Sequence, residues 1–355
     1  LLQRRPPLSY TEHHALSGVE DQRVTNPDVL QRVEPAHYFP LPNGRYQVKV
    51  GLSRLGTDWG NGRADRHAFQ LDSQWPRYRQ AKLSARAENL AKYYATDTRL
   101  SPRGRSALAE WMILRLYKEH HEQFQWERHE DQTCWVHCQL SGETIELDRN
   151  RELSSVRNGP LPTYADTLDA LASQVQEDIA LVELDETGAD RLTALHLCFP
   201  NYWAAQSKIG MDFITMHQPV PRFDKIARQN RRLTRSLIMD GPFVRFAWGL
   251  TTDARLNHHP HPPPGFDDSA AWYGRRFDTD EGQLYLRVER QFIQGLPGAQ
   301  AFAFTVRTYL TPITELDADE RKCLAEAVET MPRDARRYKG LAQDADAISC
   351  WLRGL

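Results

Sequence analysis

The stretch from residue 175 to 312 constrains the fold more than any other part of the chain. Two β-patterned runs, "EDIALVEL" (177–184) and "RLTALHLCFP" (191–200), are joined by the short turn "DETGAD". A mostly helical stretch then runs from about Tyr202 to Ile238. Three further β-patterned runs follow: "FVRFAWGL" (243–250), "LYLRVERQF" (284–292) and "AFAFTVRTYL" (301–310). Strands come in a pair, then a helical insert, then a set of three. Antiparallel hairpins with helices packed on a face satisfy that order.

Upstream the chain is richer in turns, at "NPD", "LPNG" and "GNGR", with a short strand expected in "VKVGLSRL" (48–55). Helical patterns cover about Arg77–Tyr94 and Arg103–Phe124, the second with Leu108, Trp111, Met112 and Leu116 on one face. "TCWVHCQL" and "ETIELD" form a strand pair around a glycine turn, and "RNGPLPT" (157–163) reads as a linker. "YADTLDALASQVQ" is a helix, as are 317–330 and a short segment near the C-terminus. The expected class is α+β. An N-terminal extension (1–156) precedes a core (164–315) with a five-stranded antiparallel sheet and a helical insert, and a C-terminal helical segment (316–355) follows. The chain order of that core is the order of a PAS-type domain, in which sheet and insert enclose a ligand.

Composition narrows the function classes. A net charge of -2 over 355 residues implies no large nucleic-acid footprint. No run approaches the roughly 18 apolar residues of a membrane span. "LLQRRPPLSY" lacks the apolar core of a signal peptide. Five scattered cysteines argue against a disulfide framework. A cytoplasmic setting is the expectation.

The chemistry-bearing residues are few. In "IGMDFITMHQPVP", Ile209, Phe213, Met216 and His217 fall near one helical face, and Pro219 biases Gln218 out of the helix. A helix end holds an imidazole firmly and offers it a carbonyl for one nitrogen, leaving the other as a directed lone pair for a metal or haem iron. The ordinary alternative is a capping or core histidine. "NHHPHPPPG" holds His258, His259 and His261, but its prolines read as a solvated loop. "CWVHC" puts both thiols on one strand face and His137 on the other, which suits a buried strand better than a metal knuckle. In "LYLRVERQF", Arg290 interrupts an apolar face and needs an anion, from a cofactor or from the protein. Arg287, Glu289 and Arg307 are expected to point the other way. "RFDKIARQNRRLTR" (222–235) is strongly basic, a candidate clamp for carboxylates or a solvated face.

Several strings, in order, resemble the haem-dependent oxidative N-demethylase family. They are "VQEDIALVE" (175–183), "CFPNYW" (198–203), "KIGMDFITMHQPVP" (208–221), "RFAWGL" (245–250), "LRVERQFIQGLP" (286–297) and "VRTYLTPI" (306–313). The resemblance covers about 165–315, with a looser likeness upstream. It implies an alpha subunit with b-type haem in a PAS-like fold. It also implies oxidative removal of a methyl group from a small secondary amine, dimethylamine being the model substrate. Its implied partners are a reductase with a flavin (FMN) and an iron–sulfur centre, and a tetrahydrofolate-binding subunit that takes up formaldehyde. On this reading His217 is the axial ligand, with His196 and then Cys198 as alternatives. Lys225, Arg231, Arg245, Trp248 and Arg290 are candidates for holding haem. Tyr202, Trp203 and also Trp248 are candidates for packing on the amine, and Glu177, Asp178 and Glu289 for pairing with it. The chain carries neither a dinucleotide-binding glycine motif nor a four-cysteine cluster spacing, so electrons are expected from another polypeptide. A haem-based gas or redox sensor, or a ligand-binding subunit without haem, is the competing class.

Overall fold

The structure, a computed structural model, describes residues 30–221, 230–265 and 276–355. It is α+β and carries two antiparallel sheets. The strands of the main sheet are β1 (Ser53–Arg54), β2 (Tyr94–Thr96), β7 (Glu177–Leu184), β8 (Asp190–His196), β9 (Phe243–Thr251), β10 (Tyr285–Leu296) and β11 (Ala301–Pro312). They lie in the order β1-β9-β10-β11-β7-β8-β2. The sheet therefore has seven strands where the sequence pattern predicts five, because β1 and β2 from the N-terminal part add one short strand at each edge. The smaller sheet is β3 (Phe124–Arg128), β4 (Cys134–Cys138), β5 (Glu143–Leu147) and β6 (Leu153–Arg157), paired in sequence order. In β4 the two thiols are buried with Val136, as alternation predicts, and His137 meets Thr144 on the half-exposed face.

The main sheet is covered on both faces, so its strands read as nearly continuous apolar runs. One face carries Ile179, Leu181, Val244, Leu286, Val288, Phe292 and Tyr309. It packs on α2 (Pro102–Glu119) and α3 (Thr167–Ala172), and on the C-terminal helices α6 (Ala318–Glu329) and α8 (Ala345–Gly354). Between α6 and α8 lies the short α7 (Arg333–Tyr338). The other face carries Ala180, Val182, Phe243, Ile293 and Phe302. It packs on the insert, whose described helices are α4 (Phe213–His217) and α5 (Asn230–Met239). This second surface is the insert face.

Local chemistry explains the element ends. Ser101 caps α2 by accepting from Gly104 N–H at 2.9 Å, and its hydroxyl donates to Glu183 of β7 at 2.5 Å. A Cβ on Gly104 would lie 2.2 Å from that carboxylate, so the close helix–strand contact needs glycine. Gly295 does the same for α5: a Cβ there would sit 1.9 Å from the Ile238 carbonyl oxygen. Asp317 and Glu320 form a reciprocal capping box on α6. The upstream helical patterns resolve into α1 (Trp75–Tyr93) and α2. The apolar end of the second pattern, Phe124, opens β3 instead. Of "VKVGLSRL", only Ser53–Arg54 pairs as a strand.

Candidate functional site

The insert helix carrying His217 is shorter than its pattern implies. It starts at Phe213, where Asp212 caps it by accepting from Thr215 N–H at 2.8 Å and from its hydroxyl at 2.9 Å. Ile209 reaches the same apolar cluster from the preceding turn, beside Met216. The helix ends at His217 as the prolines predict, although Gln218 keeps helical dihedrals. His217 Nδ1 lies 2.8 Å from the Phe213 carbonyl oxygen. A carbonyl only accepts, so Nδ1 carries the proton and the ring lone pair is on Nε2. Burial pushes the imidazole pKa down to about 4, with nearby Arg245 and Lys208 adding to the shift, so the ring is neutral at pH 7.

The alternation of β9 and β10 decides which candidates share the insert face with His217. Arg245, Ala247 and Gly249 of β9 face it, as do Arg287, Glu289 and Gln291 of β10. Arg245 donates through Nε to Val50 O at 2.9 Å and through Nη1 to Gln291 Oε1 at 2.9 Å. Gln291 Nε2 donates to Glu289 Oε2 at 3.1 Å. Arg287 Nε lies 3.7 Å from the other Glu289 oxygen. Trp203 packs at the edge of the same apolar cluster.

Strand parity and register place four of the singled-out residues away from His217, and for Arg307 this corrects the expected facing. Trp248 lies on the opposite face, with its ring 6.3 Å from Tyr46 and 5.0 Å from the Lys339 ammonium. Arg290 also faces away from His217, and its guanidinium donates to the His67 carbonyl at 2.8 Å. Its buried charge is solvated by backbone oxygens from the N-terminal segment. Arg307 does not share a face with Arg287 and Glu289. The β10–β11 register sets it opposite Arg290, and it pairs with Asp72 at 2.8 Å between the rings of Tyr78 and Tyr309. Glu177 belongs to that same buried polar layer, where it accepts from Gln70 N–H at 2.8 Å. Burial pushes its carboxyl pKa up to about 7.

Asp178 is engaged by the backbone. Its two oxygens accept the backbone N–H groups of Cys198 and Phe199 at 2.7 and 3.0 Å, and burial raises its pKa to about 6. His196 is buried with Nε2 at 3.2 Å from Asp169 and Nδ1 at 3.8 Å from the Cys198 sulfur. Asp178, His196 and Cys198 thus bring three potential metal donors within 4.8 Å of one another. Each already has protein partners, and the buried Lys82 ammonium stands beside Asp178, so the cluster is internally compensated. Burial pushes the Cys198 thiol well up, which disfavours a thiolate ligand.

The histidine-rich loop is not solvated as expected. His258 and His259 are buried, because the loop folds back on residues 200–202. Tyr202 N–H donates to the His258 carbonyl, and the Tyr202 ring stacks on the His258 ring at 5.3 Å. Tyr202 adopts a left-handed backbone (φ 62°), a costly conformation for an aromatic residue. His258 Nε2 binds Asp253 at 2.9 Å, while its Nδ1 has no hydrogen-bond partner among the described residues. Sequence reasoning missed both Gln291 and the Asp253–His258 pair, since neither belongs to a local motif. Arg231 lies exposed on α5 with Arg232 and Arg235. Lys225 lies outside the described residues.

Among the described residues no helix is long and apolar enough to cross a membrane. A family model described as haem-dependent oxidative N-demethylase, alpha subunit-like, matches residues 62–349.

Proposed function

Because the chain belongs to the haem-dependent oxidative N-demethylase alpha subunit-like family, we propose that it holds a b-type haem on His217 and removes a methyl group oxidatively from a small secondary amine such as dimethylamine. The observation that carries the ligand assignment is the His217 Nδ1–H bond to the Phe213 carbonyl, which orients the ring and directs its lone pair from Nε2. The donor set fits a haem: a neutral imidazole at a capped helix end, an apolar lining from Ile209 and Met216, and the guanidinium of Arg245 for an anionic group. Arg290 and Trp248, on the far side of the sheet from His217, take no part in holding the haem. The succession of β7, β8, the insert, β9, β10 and β11 supports a PAS-like core for residues 164–315.

When bound, the haem supplies oxygen activation; the protein supplies everything else. The apolar cluster around Met216 and Trp203 excludes water from the ligand. The polar row from Arg245 to Arg287 supplies hydrogen-bond donors and one carboxylate on the sheet side. A neutral histidine ligand would give less electron push than a thiolate, so hydrogen-bond donors near the haem would have a chemical task.

Electrons come from a partner reductase subunit carrying FMN and an iron–sulfur centre, and formaldehyde passes to a tetrahydrofolate-binding subunit. Exposed Arg231, Arg232 and Arg235 on α5 form the basic docking face for the reductase. The test is formaldehyde release from dimethylamine with NADPH, over a salt series. Product is expected only with the reductase subunit added, at a rate that falls as salt rises when reductase is limiting. NADPH-driven product from the isolated chain contradicts the division of labour, and a salt-independent rate removes the docking face.

A further inference from the structure

Three carboxylates stand as candidates for the amine, and the structure separates them. Glu177 is on the wrong face, and both oxygens of Asp178 are held by backbone N–H groups. Glu289 faces the insert, and its side chain keeps 21% exposure. Its cross-strand partner on β9 is Ala247, and that of Arg287 is Gly249. Neither carries a long side chain to fill the strip beside the carboxylate: a Cβ added at Gly249 would meet nothing nearer than Asn201 Nδ2 at 4.0 Å.

Arg245 and Glu289 are diagonal neighbours across β9 and β10, because Arg245 pairs with Gln291 in the register. Diagonal residues lie about 7–8 Å apart, within reach of two long side chains. Left alone, they would close on each other and neutralise both charges. Gln291 stands between them, accepting from Arg245 through Oε1 and donating to Glu289 through Nε2. Its amide binds the two ions while keeping them apart.

We propose that Glu289 is the acceptor for the substrate ammonium, in the strip over Ala247 and Gly249, and that Gln291 is the positioning residue that keeps it available. This rests on the amine-oxidation reading above. A secondary ammonium has two N–H groups and no lone pair, and must lose one proton before its methyl group is oxidised. One N–H bond breaks and one O–H bond forms at Glu289, with no change of oxidation state. The partly exposed carboxyl then releases the proton to solvent. The strip, floored by alanine and glycine, sets a small-amine preference.

The probe is dimethylammonium chloride, titrated calorimetrically into the full-length haem-loaded chain at fixed pH. Glu289→Gln keeps size and hydrogen bonding, and is expected to raise Kd by at least about tenfold with unchanged melting temperature and Soret band. Gln291→Met is expected to weaken binding similarly, because Arg245 then captures Glu289. Gln291→Glu, which can still accept from Arg245 and hold it away, is expected to keep the affinity of the parent, which a merely structural role for Gln291 would not do. Binding to Glu289→Gln or to Gln291→Met within about twofold of the parent, or a loss in Gln291→Glu as large as in Gln291→Met, overturns the inference. Those results would leave a normal Soret band in place, whereas failure of the haem reading itself shows as no Soret band in any variant.

Discussion

At the residue scale, parity and protonation decide what each side chain can do. Arg245 and Trp248 are three apart in one strand, so alternation alone places them on opposite faces; that much was legible in "RFAWGL". The face shared by Arg290 and Arg307 was not, since it follows from a hairpin register set by the turn at 297–300. The bond between Gln291 and Arg245 was illegible, because it exists only across the ladder. Protonation gives a pH prediction at His67 and His120, whose ring centroids lie 4.9 Å apart. Burial, with nearby Arg63 adding to the shift, pushes both imidazoles down to about 4. In the unfolded chain they titrate near about 6.5. The native state thus binds fewer protons between those values. The stability they contribute is fully present above about 6.5 and is lost as pH falls towards about 4. Glu177 and Asp178, raised to about 7 and about 6 by burial, act with the opposite sign. The contribution of His120 is therefore isolated by difference. His120→Gln can still donate to the Phe69 carbonyl, which His120 Nε2 meets at 2.8 Å. Its melting temperature is expected to fall less than that of the parent between pH 6.5 and pH 4. Parallel curves would show that His120 does not titrate across folding.

At the element scale, the short helix α4 decides whether His217 is held or loose. Five residues form no stable helix alone, so α4 depends on its cap and on packing. Asp212→Ala removes both bonds to Thr215 and is expected to cost about 1 kcal/mol. The same change is expected to speed haem transfer to an apo-acceptor protein, while Asp212→Asn stays close to the parent. Equal transfer rates for all three would mean that the cap does not govern the ligand. The strands were legible from period and flanking turns, and so was the stop after His217, because proline signals are local. The start of α4 was not, because Ile209 sits in phase with a helix it does not join. The burial of His258 was also hidden, since the bridge that closes its loop connects residues 201 and 258.

At the scale of the whole molecule, the sheet is a two-sided partition. The side with Arg290, Arg307, Asp72, Glu177 and Trp248 is a packed, charge-compensated core between the N-terminal and C-terminal elements. The insert side carries Arg245, Gln291 and Glu289, with His217 on the insert itself. The α+β class and the order of the core strands were readable from the sequence. The two edge strands contributed from upstream were not, being two and three residues long. The central claim is that haem is bound on the insert face through His217, and one measurement tests it most directly. The absorption spectrum of the haem-reconstituted chain is recorded for the parent and for His217→Ala, with folding checked by circular dichroism. The account predicts a Soret band in the parent, its loss or displacement in a folded His217→Ala, and an unchanged band in Arg290→Leu. A parent-like Soret band in folded His217→Ala would contradict it.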